Sequence, residues 1–279
     1  MKHDDLAPVA ALTGFEIKGA APATLNFNAA QIGGGAMTME ANGSLAGGQM
    51  LAKGSQSEAK STWQVSYDHP AAKTAATKFL PMLKMPAPNQ PLRIAADVTL
   101  ADAAWSVEAL DIRNGDAQLA GNVGADSKQR LFGKLKGAGF VVENLTGNAG
   151  KGQPAPEPAA TEPFRFEQLR GYTGQVDLDL DGITLAGQRL MAPNAAITAG
   201  DGLIRVDLGS SARLNGNPAT FAVDLMLDAT PKMSGTINLQ DFDIAAMLLS
   251  EGFGKIANGT ASFVLDFQAS GETPEAMLT

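Results

Sequence analysis

The feature that most constrains this chain is an alternation of apolar and polar residues with a period of two. In "TFAVDLMLD", Phe221, Val223, Leu225 and Leu227 occupy every second position, with Asp224 and Asp228 on the other side. Successive side chains of a β-strand point to opposite faces, so this period predicts strands with one apolar and one wet face. The same pattern recurs in "STWQVSY", "PLRIAADVTL", "LIRVDLG" and "ASFVLDFQA". The chain is therefore predicted to be mostly β, a meander of short antiparallel strands.

Asn-Gly and Asp-Gly dipeptides punctuate these runs. Both residue pairs tolerate the positive φ angles of two-residue hairpin turns, so each dipeptide favours a tight hairpin. They begin at Asn42, Asn114, Asp181, Asp201, Asn215 and Asn258.

Two short helices are predicted to interrupt the meander, near residues 69–80 and 243–251. Each follows an aspartate suited to capping a helix N-terminus, Asp68 in one case and Asp243 in the other. Alternating strands flank both segments. We interpret this order as a degenerate strand–helix–strand repeat, one copy in each half, which predicts an elongated, repeat-like architecture.

One segment has the composition of a linker. "GNAGKGQPAPEPAATEP", residues 147–163, is rich in Pro, Ala and Gly and is unsuited to packing a core. The predicted organisation is therefore a β-rich region over 1–146, the linker, and a second β region over 164–279.

The stretch "VDLDLDG" matches the opening of a calcium loop through Asp177, Asp179, Asp181 and Gly182. Such a loop needs a bidentate Glu at its twelfth position and a helix on each side. The twelfth position here is Gln188, and the flanking residues alternate with period two. A solvated strand face is therefore favoured over a metal site.

The sequence contains no motif typical of a catalytic or cofactor-binding site. The chain has no Cys and a net charge of -8, which excludes thiolate sites and disfavours nucleic-acid binding. No phosphate loop, dinucleotide fingerprint, nucleophile elbow or zinc spacing is present. His69 is interpreted as a solvated residue of the first helix turn, and Trp63 and Trp105 as packing residues. The prediction is a protein that is not an enzyme, with no catalytic, cofactor or metal residue.

Most of the chain resembles the AsmA family of bacterial envelope proteins, which is related to the lipid-conveying proteins of TamB and YhdP type. The resemblance is carried first by "FRFEQLRGYTGQVDLDLDGITLAGQRLMAPNAAITAGDGLIRVDLGSSARLNGNPATFAVDLMLD" and "INLQDFDIAAMLLSEGFGKIANGTASFVLDFQASGETPEAML". In the first half, "SYDHPAAKTAATKFLPMLK" and "LDIRNGDAQLAGNVGAD" are similar to the family's middle region. It rests on pattern and spacing, and "LNGNP" departs mildly from the family's hairpin.

The resemblance implies a periplasmic protein, anchored in the inner membrane, that acts in outer-membrane biogenesis. Family members are expected to have an N-terminal membrane anchor and a further strand pair after the last residues here, so the sequence is expected to be a portion of a longer protein. The family's curled sheets are thought to carry phospholipid in an apolar groove.

An apolar sheet face must be buried, and two short helices cannot cover all of it. A second sheet, a folded sheet or the acyl chains of a lipid would each satisfy that need. An open groove would bind lipid, whereas a closed, sandwich-like core would indicate a structural or adhesive scaffold without a ligand. The residues predicted to line a groove are Val176, Leu178, Leu180, Val206, Leu208, Phe221, Val223, Leu225 and Leu227.

Overall fold

The computed structural model describes residues 2–3, 23–32, 35–71, 90–140, 169–185, 188–245 and 259–271. Of these residues, 77% lie in strands, so the prediction of a mostly β chain is confirmed. The chain divides into two compact units, and the division falls between Asn122 and Val123. The predicted linker at 147–163 lies outside the described residues.

The first unit is an antiparallel meander. Each strand from β1 to β7 pairs with the next one along the chain, as the period-two pattern predicts. The strands are β1 (Lys2–His3), β2 (Ala23–Ile32), β3 (Ala36–Leu45), β4 (Gly48–Gln56), β5 (Ser61–His69), β6 (Leu92–Ala101) and β7 (Ala104–Asn114), followed by β8 (Ala117–Ala125), within which the first unit ends.

The second unit continues with eight strands in the order β9-β10-β11-β12-β14-β15-β16, with the short β13 paired to β11 and β14. All its antiparallel neighbours are again close in sequence. The strands are β9 (Arg130–Ala138), β10 (Thr173–Leu185), β11 (Gln188–Gly200), β12 (Leu203–Asp207), β13 (Arg213–Leu214), β14 (Asn217–Met226), β15 (Lys232–Asp243) and β16 (Thr260–Ser270).

One strand pair departs from the predicted antiparallel meander. β9 and β10 are parallel, with Lys134 opposite Asp177 and Leu135 opposite Leu178. Parallel neighbours need a connection of a dozen residues or more, and residues 139–172 supply it.

The two predicted helices are not confirmed. Asp68 and His69, expected as cap and first turn, are the last residues of β5, where Asp68 lies opposite Arg93 of β6. Asp243, the other expected cap, is the last residue of β15, and only Ile244 and Ala245 after it have helical geometry. Asp68 continues the strand pairing, whereas β15 ends at Asp243, whose Oδ1 accepts a hydrogen bond from the Ala245 N–H at 2.9 Å, as a capping aspartate does. Residues 72–80 and 246–251 lie outside the described residues.

The turn dipeptides divide into two groups. Asp201 and Asn215 form the expected hairpin turns, with φ angles of 52° and 50°, whereas Asn114 is the last residue of β7 and Gly115 follows it in the turn. Asn42 lies inside β3 and Asp181 inside β10, where the register shifts between Leu180 and Ile183 mark a β-bulge. The dipeptide at Asn258 begins outside the described residues.

The second unit has little fully enclosed core. The largest side chain of the described residues that is fully buried is Gln188, which is polar. Two small clusters exist: one joins Leu190, Leu214 and Phe242 with Ala219, and the other joins Ala192, Ala195 and Ala212. Apart from Val176, the larger apolar side chains elsewhere in the described strands of the second unit are half-buried or exposed. A dry sandwich would instead bury Leu, Ile and Phe completely.

Candidate functional site

The aspartate row of β10 is a polar sheet face. Asp177 and Asp179 lie opposite Lys134 and Lys136 of β9, and Lys136 Nζ is 3.8 Å from Asp179 Oδ2. The Lys136–Asp179 pair lies at the surface and contributes little to stability. The strand interpretation of "VDLDLDG" is confirmed.

Asp181 and Gln188, at the fifth and twelfth positions of the calcium-loop match, are both engaged elsewhere. Arg189 Nη2 donates to Asp181 Oδ1 at 2.7 Å. Gln188 is buried, donates to the Asp243 carbonyl at 3.1 Å and accepts from Asn215 Nδ2. Among the described residues, no group of three or more acidic, His or Cys side chains could hold a metal ion.

The opposite face of the second unit is apolar across its antiparallel strands. Residues directly opposite one another in paired strands project to the same side, so the strand registers join side chains into rows. We define the apolar face of the second unit by three such rows. The first is Val176, Ile197, Val206, Val223, Gly235 and Phe267; the second is Ala199, Ile204, Leu225, Met233 and Ala269; the third contains Leu208, Phe221, Ile237 and Leu265.

Eight of the nine predicted lining residues lie on strands or strand extensions that contribute to this face. Val176 is buried, and Val206, Val223, Leu225 and Phe221 are half-buried. Leu178, Leu180 and Leu208 pack on the alanine cluster of Ala192, Ala195 and Ala212. The structure therefore brings these eight together on one side of the second unit.

Leu227 is the exception. β14 ends at Met226, and Leu227 follows it, buried, with its backbone N–H bonded to the Gly202 carbonyl at 2.7 Å. Its carbonyl accepts a hydrogen bond from Arg170 Nε. The alternation in "VDLMLD" continues for one residue beyond the end of β14. The sequence pattern therefore assigned Leu227 to the apolar face, whereas in the structure Leu227 is a buried residue of the turn that follows the strand.

Several residues of the apolar face were missed. Met233 and Ile237 alternate in "KMSGTINLQ", and their spacing could have placed them on the face. Ile197 could not be placed so easily, because the β10–β11 register shifts between Leu178 and Leu180 and breaks the simple alternation of β11.

An aromatic ring lies across the face beside a glycine. A Cβ built on Gly235 would lie 2.6 Å from Phe267 Cζ, so the ring covers the position that a side chain would take. Gly235 and Phe267 are cross-strand partners on β15 and β16. The Phe267 ring shields the glycine backbone from solvent. Because Gly235 has no side chain of its own, the apolar face has a shallow depression at this position.

The first unit has a similar apolar face, built in part from the alternating stretches "STWQVSY" and "PLRIAADVTL", although no groove-lining residue was predicted there. Trp63 lies between Gly54 and Val98, and Val65 lies between Ala52 and Ala96. A neighbouring row joins further apolar positions from β4 to β7. It contains Met50, Tyr67, Ile94 and Ile112.

The polar face of the second unit is held by charge pairs. Arg205 Nη1 lies 3.2 Å from both carboxylate oxygens of Asp224, and its Nη2 lies 3.5 Å from Asp207. Thr236 donates to Asp266 at 2.6 Å. These residues surround a shallow, polar depression. No partly buried carboxylate there is paired in the way a catalytic dyad requires.

His69 is buried, which corrects its interpretation as a solvated residue. Its Nδ1 accepts from the Ala71 N–H at 2.9 Å, so Nε2 carries the proton and donates to the Ala46 carbonyl at 3.2 Å. Tyr67 stacks on the His69 ring and donates to the Leu45 carbonyl at 3.1 Å, and burial raises the pKa of Tyr67. The two rings hold the β3–β4 turn, so their role is structural.

Comparison with known proteins adds no relative. No protein-family model, no curated protein and no solved structure matches this chain. Within the described ranges, no helix has both the length and the apolarity needed to cross a membrane.

Proposed function

We propose that this chain belongs to a non-enzymatic, AsmA-type protein of the periplasm that holds or conveys phospholipid acyl chains along the apolar face. In this proposal the protein assists outer-membrane biogenesis and is tethered to the inner membrane by an anchor outside this sequence. The pattern resemblance supports the cellular setting. The exposure of the apolar face supports the lipid.

The single observation that carries the proposal is the continuous apolar face, which the described residues cover only in part. Val206, Val223 and Leu225 come from adjacent strands and are all half-buried. Leu265 and Phe263, further along the face, are 49% and 41% exposed. An exposed apolar surface that continues across several neighbouring strands is typical of a binding site.

The chemistry of the face also suits acyl chains. The three rows that define it contain no charged residue, whereas the opposite face contains Asp177, Arg205, Asp207 and Asp224. A hydrocarbon chain requires a lining that does not leave charges desolvated. The separation of charge by face therefore allows one side of the sheet to contact lipid while the other contacts water.

The test compares an acidic substitution on each face of the same strand. Val223→Asp puts a charge in the middle of the apolar face, and Thr220→Asp puts the same charge on the exposed, polar side of β14. The full chain is expressed, isolated gently, and analysed for bound phospholipid by mass spectrometry, with the melting temperature measured in parallel. We expect Val223→Asp to lose most of the lipid while it keeps its fold, because a carboxylate beside hydrocarbon costs several kcal/mol.

Thr220→Asp is expected to retain the lipid. A scaffold with a closed core gives a different result: wild-type protein carries no lipid, and Val223→Asp unfolds the second unit because its charge is buried without a partner. That outcome would replace the lipid proposal with the structural or adhesive one.

A further inference from the structure

Two arginines lie directly opposite each other on the polar face of the first unit. Arg93 of β6 is paired in register with Arg113 of β7. Their sequence neighbours Ile94 and Ile112 belong to the apolar face, so the two arginine side chains project to the other side of the sheet. Like charges directly opposite each other in an antiparallel pair repel. In a chain with a net charge of -8, such a cationic pair is unexpected.

Two carboxylates hold the pair through the Nε atoms. Arg113 Nε donates to the two carboxylate oxygens of Asp111, at 3.1 and 3.0 Å. Arg93 Nε is 4.0 Å from Asp68 Oδ1. Gln118 Nε2 donates to Asp111 Oδ1 at 2.7 Å and so fixes the position of that carboxylate. Asp111 therefore orients the guanidinium group of Arg113 through its Nε.

The terminal amino groups of both arginines have no acceptor among the described residues. The side chains of Arg93 and Arg113 are 64% and 56% exposed. Arg205 of the second unit differs, because its Nη1 contacts Asp224 and its Nη2 contacts Asp207. Two guanidinium groups of the first unit are thus side by side, with hydrogen-bond donors that no protein group uses.

We propose that Arg93 and Arg113 together bind a phosphate group. A guanidinium group can donate two parallel hydrogen bonds to a phosphate, so two adjacent ones can contact different oxygens of the same phosphate. The negative charge of the phosphate would offset the repulsion between the arginines. A second like-charged pair on these strands, Asp97 opposite Glu108, is acidic, and it confines the anion to the end of the strands that carries the arginines.

The test begins with inorganic phosphate as the probe. The full chain is titrated with phosphate at neutral pH and constant ionic strength, and binding is measured by calorimetry. We expect Arg93→Gln to weaken binding by about tenfold or more, because it removes charge-assisted hydrogen bonds. Arg93 donates no hydrogen bond within the described residues, so its substitution should leave the fold intact, and circular dichroism checks this.

The matched control is Lys53→Gln. Lys53 lies on the same polar face, is 56% exposed, and has its Nζ 3.2 Å from Glu40. Its substitution removes the same positive charge from the first unit without touching the arginine pair. We expect Lys53→Gln to bind phosphate as wild type does.

A soluble phosphate ester and a lipid headgroup present the same chemical group, and two further probes distinguish them. Glycerol 3-phosphate is used in the same titration, and vesicles of phosphatidylglycerol are used in a cosedimentation assay. Cosedimentation that Arg93→Gln abolishes would assign the phosphate to a lipid headgroup. Arg93-dependent binding of glycerol 3-phosphate without cosedimentation would assign it to a soluble ester.

The inference fails if wild type binds none of the three probes, or if folded Arg93→Gln binds them as wild type does. It also fails if Lys53→Gln loses as much affinity as Arg93→Gln, because the effect would then be one of net charge. The inference is independent of the proposed lipid function. Inorganic phosphate has no acyl chain, and the arginines lie on the side of the sheet opposite to the apolar face.

Discussion

At the scale of single residues, close contacts restrict which side chain a position can hold, and the alternation of apolar and polar residues does not reveal these restrictions. Gly54 of β4 lies opposite Trp63 of β5. A Cβ on Gly54 would lie 2.4 Å from the Thr62 carbonyl oxygen and 2.7 Å from Trp63 Cδ2. The glycine is therefore required for the strand and the ring to approach this closely.

We expect Gly54→Ala to lower the free energy of unfolding by about 1–3 kcal/mol, the usual cost of forcing an extra carbon into a packed site. Gly200→Ala is the matched control, because a Cβ there meets nothing within 4 Å. Urea unfolding of both variants measures the difference. Equal stability of the two would show that β4 and β5 can separate freely at Trp63.

A second residue-scale prediction concerns acid stability. Hydrogen bonds from Arg113, at 3.0 Å, and from Gln118, at 2.7 Å, lower the pKa of Asp111 below its ordinary value of 3.8. A lowered pKa in the folded state contributes stability that is present above the unfolded pKa and is lost as pH falls through the folded pKa. This contribution should therefore be present at pH 7 and fade below about pH 4.

Asp111→Asn is expected to destabilise the chain at pH 7 and to differ less from wild type at pH 3. Urea unfolding at both pH values measures the two differences. Asp116→Asn, which removes an exposed carboxylate from the next turn, controls for the change in net charge. A destabilisation by Asp111→Asn that is the same at both pH values would exclude the ionised form as its source.

Asp224 illustrates a limit of sequence reasoning at this scale. Its alternation with Val223 and Leu225 correctly places it on the polar face. The structure shows that Arg205 contacts both of its carboxylate oxygens. Which polar residues pair across strands depends on register, which the composition of one strand does not contain.

At the scale of elements, period-two alternation predicted the strands and their faces. It succeeded because one face of an antiparallel sheet is apolar and the other is in water, so the side chains of each strand alternate between the two faces. It did not predict the parallel pairing of β9 with β10, since the same alternation fits either direction. It also extended the face to Leu227, because a pattern of alternation carries no signal for where a strand ends.

Turn chemistry was predictive only where the dipeptide fell between two runs. Asp201 and Asn215 do so and form turns, whereas Asn42 and Asp181 lie within long strands. The β3–β4 turn at Ala46, with φ of 54°, has no such signal. The Tyr67 and His69 rings hold it, and these contacts join residues more than twenty positions apart.

At the scale of the whole molecule, each unit has an apolar face of the same design. Alternation predicted apolar strand faces in both units, but groove-lining residues were assigned only in the second unit, whose strands contain more Leu and Phe and fewer Ala and Gly than those of the first. Both faces follow from the same arrangement of consecutive antiparallel strands. We therefore expect a ligand of one face to be a ligand of the other.

The two tryptophans allow that expectation to be tested. Trp63 lies opposite Val98, and Trp105 lies opposite Leu100, so both belong to the apolar face of the first unit. Both side chains are half-buried. If acyl chains occupy this face, bromine atoms attached along the chains will quench tryptophan fluorescence on contact. We expect strong quenching of Trp63 in Trp105→Phe, and of Trp105 in Trp63→Phe, by phospholipid brominated in its acyl chains.

Phospholipid with the same headgroup and unlabelled chains is the control, and it should leave the fluorescence intensity nearly unchanged. Val65→Asp supplies the matched variant, because it places a carboxylate beside Trp63 on the same face, where burial against hydrocarbon costs several kcal/mol. It is expected to abolish the quenching, whereas Gln64→Asp, on the exposed side of β5, should not. Quenching that is absent in the first unit, while the second unit still binds lipid, would confine the acyl-chain site to the second unit and leave the face of the first unit with a structural role.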